Sequence, residues 1–250
     1  MTNTKVRGVS VVIPVFNEQK RLPKQLKKIQ AFQKANPFIE EVIFVDDGST
    51  DTTYNYLQTH LEDNTTFKII HYPKNKGKGY AIKQGFHAAI GDFVLFMDAD
   101  LSVPLSEIKV LLPHTYKADI IIGSRRKGIA PLYAREQKGR LAISKLGSHM
   151  RKRFLLRDIE DTQCGFKLFN KKAVEIILPR TDIEGYGFDM ELLMIGKVHG
   201  LNIKEVAVPW KHANGGHLAN PFNIVIASIS VFLSIVHIYF KTKNGVYARK

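Results

Sequence analysis

The sequence predicts an α/β fold, a mostly parallel sheet flanked by helices, and three observations predict it. First, three nearly continuous apolar runs occupy 10–15, 41–45 and 93–97, and they are rich in β-branched and aromatic residues. Strands covered on both faces read this way. Second, stretches of helical periodicity or a further strand separate these runs, which is βαβ alternation. Third, each run ends in acidic or amide residues: Asn17-Glu18, Asp46-Asp47, and Asp98-Ala99-Asp100. Parallel strands bring such ends to one edge of the sheet, where open α/β sheets bind their ligands.

The elements follow in order. After the first strand, the spacing predicts a helix over 21–36 with Leu22, Leu26, Ile29 and Phe32 on one side. Asp51 is placed to cap a helix that runs to Leu61. A short strand is expected over 67–71. A helix is expected over 79–89, with Ala81, Ile82, Phe86 and Ala89 toward the sheet. A helix over 106–116 should be broken near Pro113, and 120–123 should be another buried strand. From 125 to 158 the chain is rich in Arg and Lys, and it reads as a loop followed by a helix over about 137–154. A strand over 162–169, a helix over 188–199 and a last strand over 204–210 complete the domain, whose bounds are placed at 1–215.

The segment 222–240 carries no charge, and Asn223, Ser230, Ser234 and His237 fall on one narrow stripe at helical spacing, extended by Lys241. A helix lying in a membrane interface has this pattern, and so does a helix packed on the domain's own core. Its length also permits a span. With the basic residues after it, 216–250 is read as a membrane-associated helix and tail on the cytoplasmic face of a membrane.

Composition narrows the function. A chain of 250 residues with 44% hydrophobic and 24% charged residues suits one globular α/β domain. The single cysteine, Cys164, excludes an internal disulfide and fits a reducing compartment. No secretory signal is read at the start. The net charge of +14 raises nucleic acid as a partner, but no nucleic-acid-binding signature is found, so no such partner is expected. An anionic membrane surface explains the basic clusters as well.

The chemistry centres on Asp98 and Asp100. Strand residues two apart point the same way, so both carboxylates can converge on one target. Two such charges repel unless a cation or a set of donors sits between them, and a hard divalent ion shared with phosphates fits. An isolated pair of this kind is equally well a solvated strand end; three acidic strand ends on one edge are not. Asn75-Lys76-Gly77-Lys78-Gly79 precedes a helix and can hold phosphate through backbone N–H groups and Lys78, although it lacks P-loop spacing. It is equally readable as a glycine-rich turn with exposed lysines. Cys164 reads as a small packing residue rather than a nucleophile.

These motifs together resemble the inverting glycosyltransferases of family 2, which have the GT-A fold. The matching residues are V-V-I-P-V-F-N-E, V-D-D-G-S-T-D, N-K-G-K-G-Y-A, D-A-D-L-S, G-S-R, D-T-Q-C-G-F-K-L-F and G-F-D-M-E-L-L, in the family's order from Ser10 to Leu193. The later motifs are similar to the branch that moves a sugar onto a polyprenyl phosphate, nearest to dolichyl-phosphate β-glucosyltransferases. The resemblance implies a nucleotide-sugar donor held by Pro14, Phe16, Asn17, Glu18, Asp46, Lys78, Asp98, Ala99 and Asp100. It implies Gln163 and Asp189 on the sugar's hydroxyls. Asp98 and Asp100 would hold Mg2+ or Mn2+, with Asp100 the main ligand. Ser102 stands where some relatives carry Gln. Arg125, Arg140 and Ser144 match acceptor-phosphate positions, and Asp161 matches the acidic residue near the transfer centre, so Asp161, Asp100, Arg125 and Arg140 carry the catalytic expectation. His212 or His217 replaces the cationic loop that reaches the diphosphate in some relatives, or that contact is lost.

The expected activity is transfer of a hexose, glucose from UDP-glucose being the nearest match, to a polyprenyl phosphate with inversion. A lipid phosphate is already ionised, so it needs cationic clamps rather than a strong base. The alternatives are a GDP-mannose-dependent enzyme of the same kind, transfer to a glycan hydroxyl, and a non-catalytic module that binds nucleotide sugar or nucleic acid.

Overall fold

The computed structural model describes residues 8–125, 155–185, 187–211 and 221–249, with side chains in the last segment from Ile229 onward. Seven strands form one sheet: β1 (Val9–Val15), β2 (Ile39–Asp46), β3 (Phe67–His71), β4 (Phe93–Met97), β5 (Ile120–Ser124), β6 (Phe166–Asn170) and β7 (Ile203–Ala207). Their order is β3-β2-β1-β4-β6-β5-β7. β6 runs antiparallel to both neighbours and every other pairing is parallel, as expected for a mostly parallel sheet. The helices are α1 (Leu22–Ala35), α2 (Thr53–Leu61), α3 (Lys78–Ala88), α4 (Ile108–Leu111), α5 (Lys171–Ile177), α6 (Phe188–Val198) and α7 (Pro221–Lys243).

Strand residues alternate between two apolar layers. Val12, Ile43, Val45, Val94, Phe96, Ile120 and Ile122 face the layer built with α3, α5, α6 and α7. Val11, Ile13, Val42, Phe44, Leu95, Met97 and Ile121 face the layer built with α1 and α2. Both faces are buried, which is why these strands read as continuous apolar runs rather than alternating ones. The chain leaves β1 toward β2 on one side and returns to β4 on the other. The cleft at the C-terminal ends of β1 and β4 is therefore a topological switch point.

Most predicted bounds hold within one or two residues; the strand expected over 162–169, the helix expected over 106–116 and the strand expected over 204–210, which ends at Ala207, do not. The strand expected over 162–169 begins only at Phe166: the chain ahead of it is held by side chains, with the backbone N–H groups of Glu160 and Asp161 on the Glu205 carboxylate and the Cys164 carbonyl on the Lys167 ammonium. The helix expected over 106–116 is a 3-10 turn, one α-turn and another 3-10 turn, the last containing Pro113, which has no N–H to offer. Asp51 lies one residue ahead of the N-cap Thr52, although its Oδ1 still accepts from the Thr53 N–H at 2.9 Å. The helix expected over 137–154 lies outside the described residues.

The polar stripe on the C-terminal helix lies along the edge of the domain, with Ser230 half-buried and His237 still 48% exposed. Ser234 is buried against Gly187, and His237 and Lys241 both reach Asp182. Ile235 and Ile238 join the core, and so does Tyr247 after the helix. Exposed apolar side chains flank the stripe: Ile229, Phe232, Leu233 and Phe240. Among the described residues no helix is long and apolar enough to cross a membrane.

Candidate active site

The ends of β1, β2, β4 and β5 build the site, the last through Arg125. The β1 end carries half-buried Pro14 and Phe16, then Asn17 and Glu18. Asn17 has φ of 54°, a left-handed conformation that asparagine tolerates better than most side chains. That turn points its Oδ1 at the Thr50 N–H, 2.8 Å away, and so ties the loop after β1 to the loop after β2. Glu18 accepts from Arg21 Nε at 2.7 Å. Burial raises the Glu18 carboxyl, against the pull of Arg21.

The β2 end carries two carboxylates with separate tasks. Asp46 is fully buried and accepts from Ser49 and from His71 Nδ1, the latter at 2.7 Å, while Tyr54 stacks on the His71 ring with centroids 3.9 Å apart. Asp47 accepts from the Asn75 amide and from the backbone N–H groups of Lys76 and Gly77, at 2.8 to 3.3 Å. Asp47 thus spends its charge on folding the glycine-rich loop rather than on a ligand. Gly77 has φ of 101°, and a Cβ on Gly77 or Gly79 would strike the backbone of 183–184. This close approach, sealed by the Gly79 N–H to the Glu184 carbonyl at 2.7 Å, seats Lys78 in the floor of the site.

The β4 end carries Asp98, buried Ala99 and Asp100. Asp98 accepts from Lys78 Nζ at 2.5 Å, and its own N–H donates to the Gly165 carbonyl at 3.1 Å. Burial pulls the Lys78 ammonium down, but Asp98 and Asp189 outweigh it and its pKa is raised. Asp100 Oδ1 accepts from the Ser102 N–H at 2.8 Å, so Ser102 serves the site through its backbone. Leu101 between them has φ of 51°, a conformation uncommon for a bulky residue and typical of loops held by their surroundings. Both carboxylates are partly exposed, while each is held on one side by a donor. Two adjacent, preoriented oxygen donors at an open edge fit a hard divalent cation shared with phosphate oxygens. Because Lys78 already balances Asp98, Asp100 is the freer ligand of the two.

Asp161 and Arg125, both expected at the transfer centre, are partners of each other. Arg125 donates from Nε to Asp161 Oδ2 at 2.7 Å and from Nη2 to Oδ1 at 2.8 Å, and the guanidinium lies 5.6 Å from the Trp210 ring centre. Burial alone would raise the Asp161 carboxyl, but the Arg125 bonds outweigh it and hold it below the usual range. Asp161 is therefore a fixed anion, and Arg125 commits Nε and Nη2 to it. Gln163 beside them is exposed. Cys164 is buried, and burial pushes its thiol up to about 12, as suits a packing residue.

Asp189 does not line the open surface as a ligand for sugar hydroxyls should. It is buried and bound by Lys167, which is itself fully buried. The sequence reading missed Lys167, although a lysine inside the otherwise apolar run Phe166-Lys167-Leu168-Phe169 is an anomaly that flags it. His71 and Glu205 carried no comparable signal. Arg140, Ser144, His212 and His217 lie outside the described residues.

A second polar cluster sits under α7. Asp182, Glu191 and His237 form the one group of three metal-ligating side chains among the described residues. Lys241 already sits on Asp182, and the Tyr247 hydroxyl donates to Glu191 at 2.8 Å. Burial first, and then the bond to Asp182, push Glu191 up to about 7. Asp182 is held down at about 2: burial opposes this, but Glu191, Lys241 and His237 outweigh burial.

The sequence profile of "Glycosyl transferase family 2" matches residues 10–178. Among similar curated proteins, the dolichyl-phosphate beta-glucosyltransferase of Dictyostelium discoideum is 31% identical, covering 97% of this chain and 77% of its own length. The proteins of the same name from Saccharomyces cerevisiae and Homo sapiens are 32% and 34% identical, over 96% and 88% of this chain and 76% and 72% of theirs. Among solved structures, glucosyl-3-phosphoglycerate synthase from Mycobacterium tuberculosis superposes with a TM-score of 0.68 at 19% identity, covering 93% of this chain and 80% of that one. A crystal form of the same protein with Mn2+, UDP and glucosyl-3-phosphoglycerate gives 0.67 at 21% identity, with the same coverage. At these identities the superposition establishes the shared GT-A architecture.

Proposed function

The chain belongs to glycosyl transferase family 2, and from that premise we propose that it moves glucose from UDP-glucose onto a polyprenyl phosphate of the dolichyl type, with inversion. The observation that carries this reading is the gathering of Asp46, Asp98, Asp100 and Asp161 at one switch point, each already oriented by a cation or an N–H donor. Relatives named for this activity match nearly the whole chain.

The loop of Asn17 and Glu18 holds the nucleoside, buried Asp46 braces that pocket through Ser49 and His71, and Gln163 reaches the sugar. Asp100, with Asp98, would hold the divalent cation against the diphosphate; when bound, it stabilises the charge that develops on the leaving UDP. A phosphate oxygen of the acceptor attacks the anomeric carbon from the face opposite UDP. The new C–O bond forms as the bond to the diphosphate breaks, and the α-linked donor yields a β-linked product. No proton is removed from the nucleophile, which agrees with Asp161 being pinned as a carboxylate by Arg125. The direct clamp on the acceptor phosphate then falls to Arg140 and Ser144, with Arg125 adding charge behind Asp161.

The acceptor resides in a bilayer, and the exposed row of Ile229, Phe232, Leu233 and Phe240 is the surface offered to it. Lys243 and Arg249 beyond that row suit an anionic cytoplasmic leaflet. Incubation with UDP-glucose, Mn2+ or Mg2+ and a detergent-solubilised polyprenyl phosphate should release UDP and give a glucosyl lipid phosphate, identified by mass and by the anomeric coupling of its β-linkage. Turnover with GDP-mannose but none with UDP-glucose would overturn the donor assignment.

A further inference from the structure

We infer that the buried pair Lys167 and Asp189 positions the diphosphate pole of the donor site, acting through Asp98 and Lys78 rather than by touching the substrate. This inference rests on the donor reading above, and a chain of contacts carries it. Lys167 Nζ donates to the Cys164 carbonyl at 2.6 Å. The next carbonyl, that of Gly165, accepts the Asp98 N–H. Gly165 also packs so closely on the Asp98 carboxylate that a Cβ there would overlap it. The Asp189 carboxylate binds Lys167 and also attracts Lys78, whose ammonium sits on Asp98. Charges thus alternate along Lys167, Asp189, Lys78 and Asp98, and both ammonium groups lie against the Phe96 ring, at 5.2 and 5.3 Å from its centre.

A purely structural role is a poor explanation for this arrangement. Removing an ammonium and a carboxylate from water is costly, and apolar residues of similar volume often serve stability as well or better. What apolar residues cannot do is fix a carbonyl by a charged hydrogen bond and hold Lys78 toward Asp98 by its charge. β6 lies beside β4 with Lys167 opposite Phe96, so the pair fixes Asp98 from the neighbouring strand.

The test uses the full chain with Lys167→Met and the double variant Lys167→Met/Asp189→Leu. It compares thermal midpoints with UDP binding measured by calorimetry in the presence and absence of MnCl2. The single variant should lose at least tenfold in Mn2+-dependent UDP affinity. The double variant should recover the thermal midpoint, because no unpaired charge is left buried, and should not recover UDP affinity. Recovery of both properties, or a double variant that does not fold, would make the pair a structural element and overturn the inference. Wild-type-like UDP affinity in the single variant would overturn it too. If the wild-type protein itself shows no Mn2+-dependent UDP binding, the donor reading fails first, and the inference fails with it.

Discussion

Gly165→Ala tests the site at its tightest point. A Cβ built on Gly165 would lie 2.5 Å from Asp98 Oδ1 and closer still to Oδ2 and Cγ. To regain ordinary contact, the carboxylate must retreat by about 1 Å or more. It cannot do so and keep its 2.5 Å bond to Lys78 Nζ, because that bond defines where the carboxylate now stands. The backbone at Gly165 is not left-handed, so alanine adds no conformational strain of its own. A misplacement of about 1 Å in a catalytic constellation can cost on the order of 10²-fold in rate. The expected result is a folded protein whose kcat/KM for UDP-glucose falls by about 10²-fold, equivalent to roughly 3 kcal/mol of transition-state stabilisation. Steady-state UDP release, with circular dichroism as the control for folding, measures it. Turnover within about threefold of wild type in a folded variant would show that the Asp98 position is not rate-determining, and would refute the reasoning.

Asp100→Asn keeps the side-chain shape and removes a ligand charge; activity should fall by about 10³-fold or more and UDP binding should lose its dependence on Mn2+, both readable by the same calorimetry and turnover assays. Glu191 gives a pH signature. Its folded-state pKa of about 7 lies above the unfolded value of 4.5, so its contribution to stability is complete below pH 4.5 and is lost as pH rises through 7. Wild-type protein should therefore lose stability between pH 5 and 8, by at most about 3 kcal/mol from this group, and Glu191→Gln should flatten that slope in urea titrations. An identical slope in the variant would assign the effect elsewhere. Replacing Phe232 and Leu233, 45% and 59% exposed, with aspartate should leave the thermal midpoint within a few degrees and abolish co-sedimentation with anionic liposomes; persistent sedimentation would move the membrane contact off α7.

The sequence by itself determined the architecture and the sheet edge on which its acidic strand ends gather. Uninterrupted apolar runs such as Val42–Val45 specify strands buried on both faces, because only such strands can satisfy their backbone among their neighbours while both rows of side chains leave water. Their acidic ends then fall on one edge by topology alone, and the spacing of Asp98 and Asp100 sets both carboxylates at that edge for the same reason. What the sequence did not determine was which charge answers which. Asp161 with Arg125, Asp98 with Lys78 and Asp189 with Lys167 are separated by 20 to 36 residues, and nothing local in the chain pairs them. Asp189, which matches a sugar-ligand position, is buried against Lys167, and Arg125, which matches a phosphate-clamp position, is bonded to Asp161. The stripe of Ser230, Ser234, His237 and Lys241 was visible as a pattern, but its direction was not, because periodicity defines a helix's faces without saying what each one meets. Only tertiary structure brings Asp182 and Gly187 against that stripe and so leaves the flanking apolar side chains outward, where a bilayer can meet them.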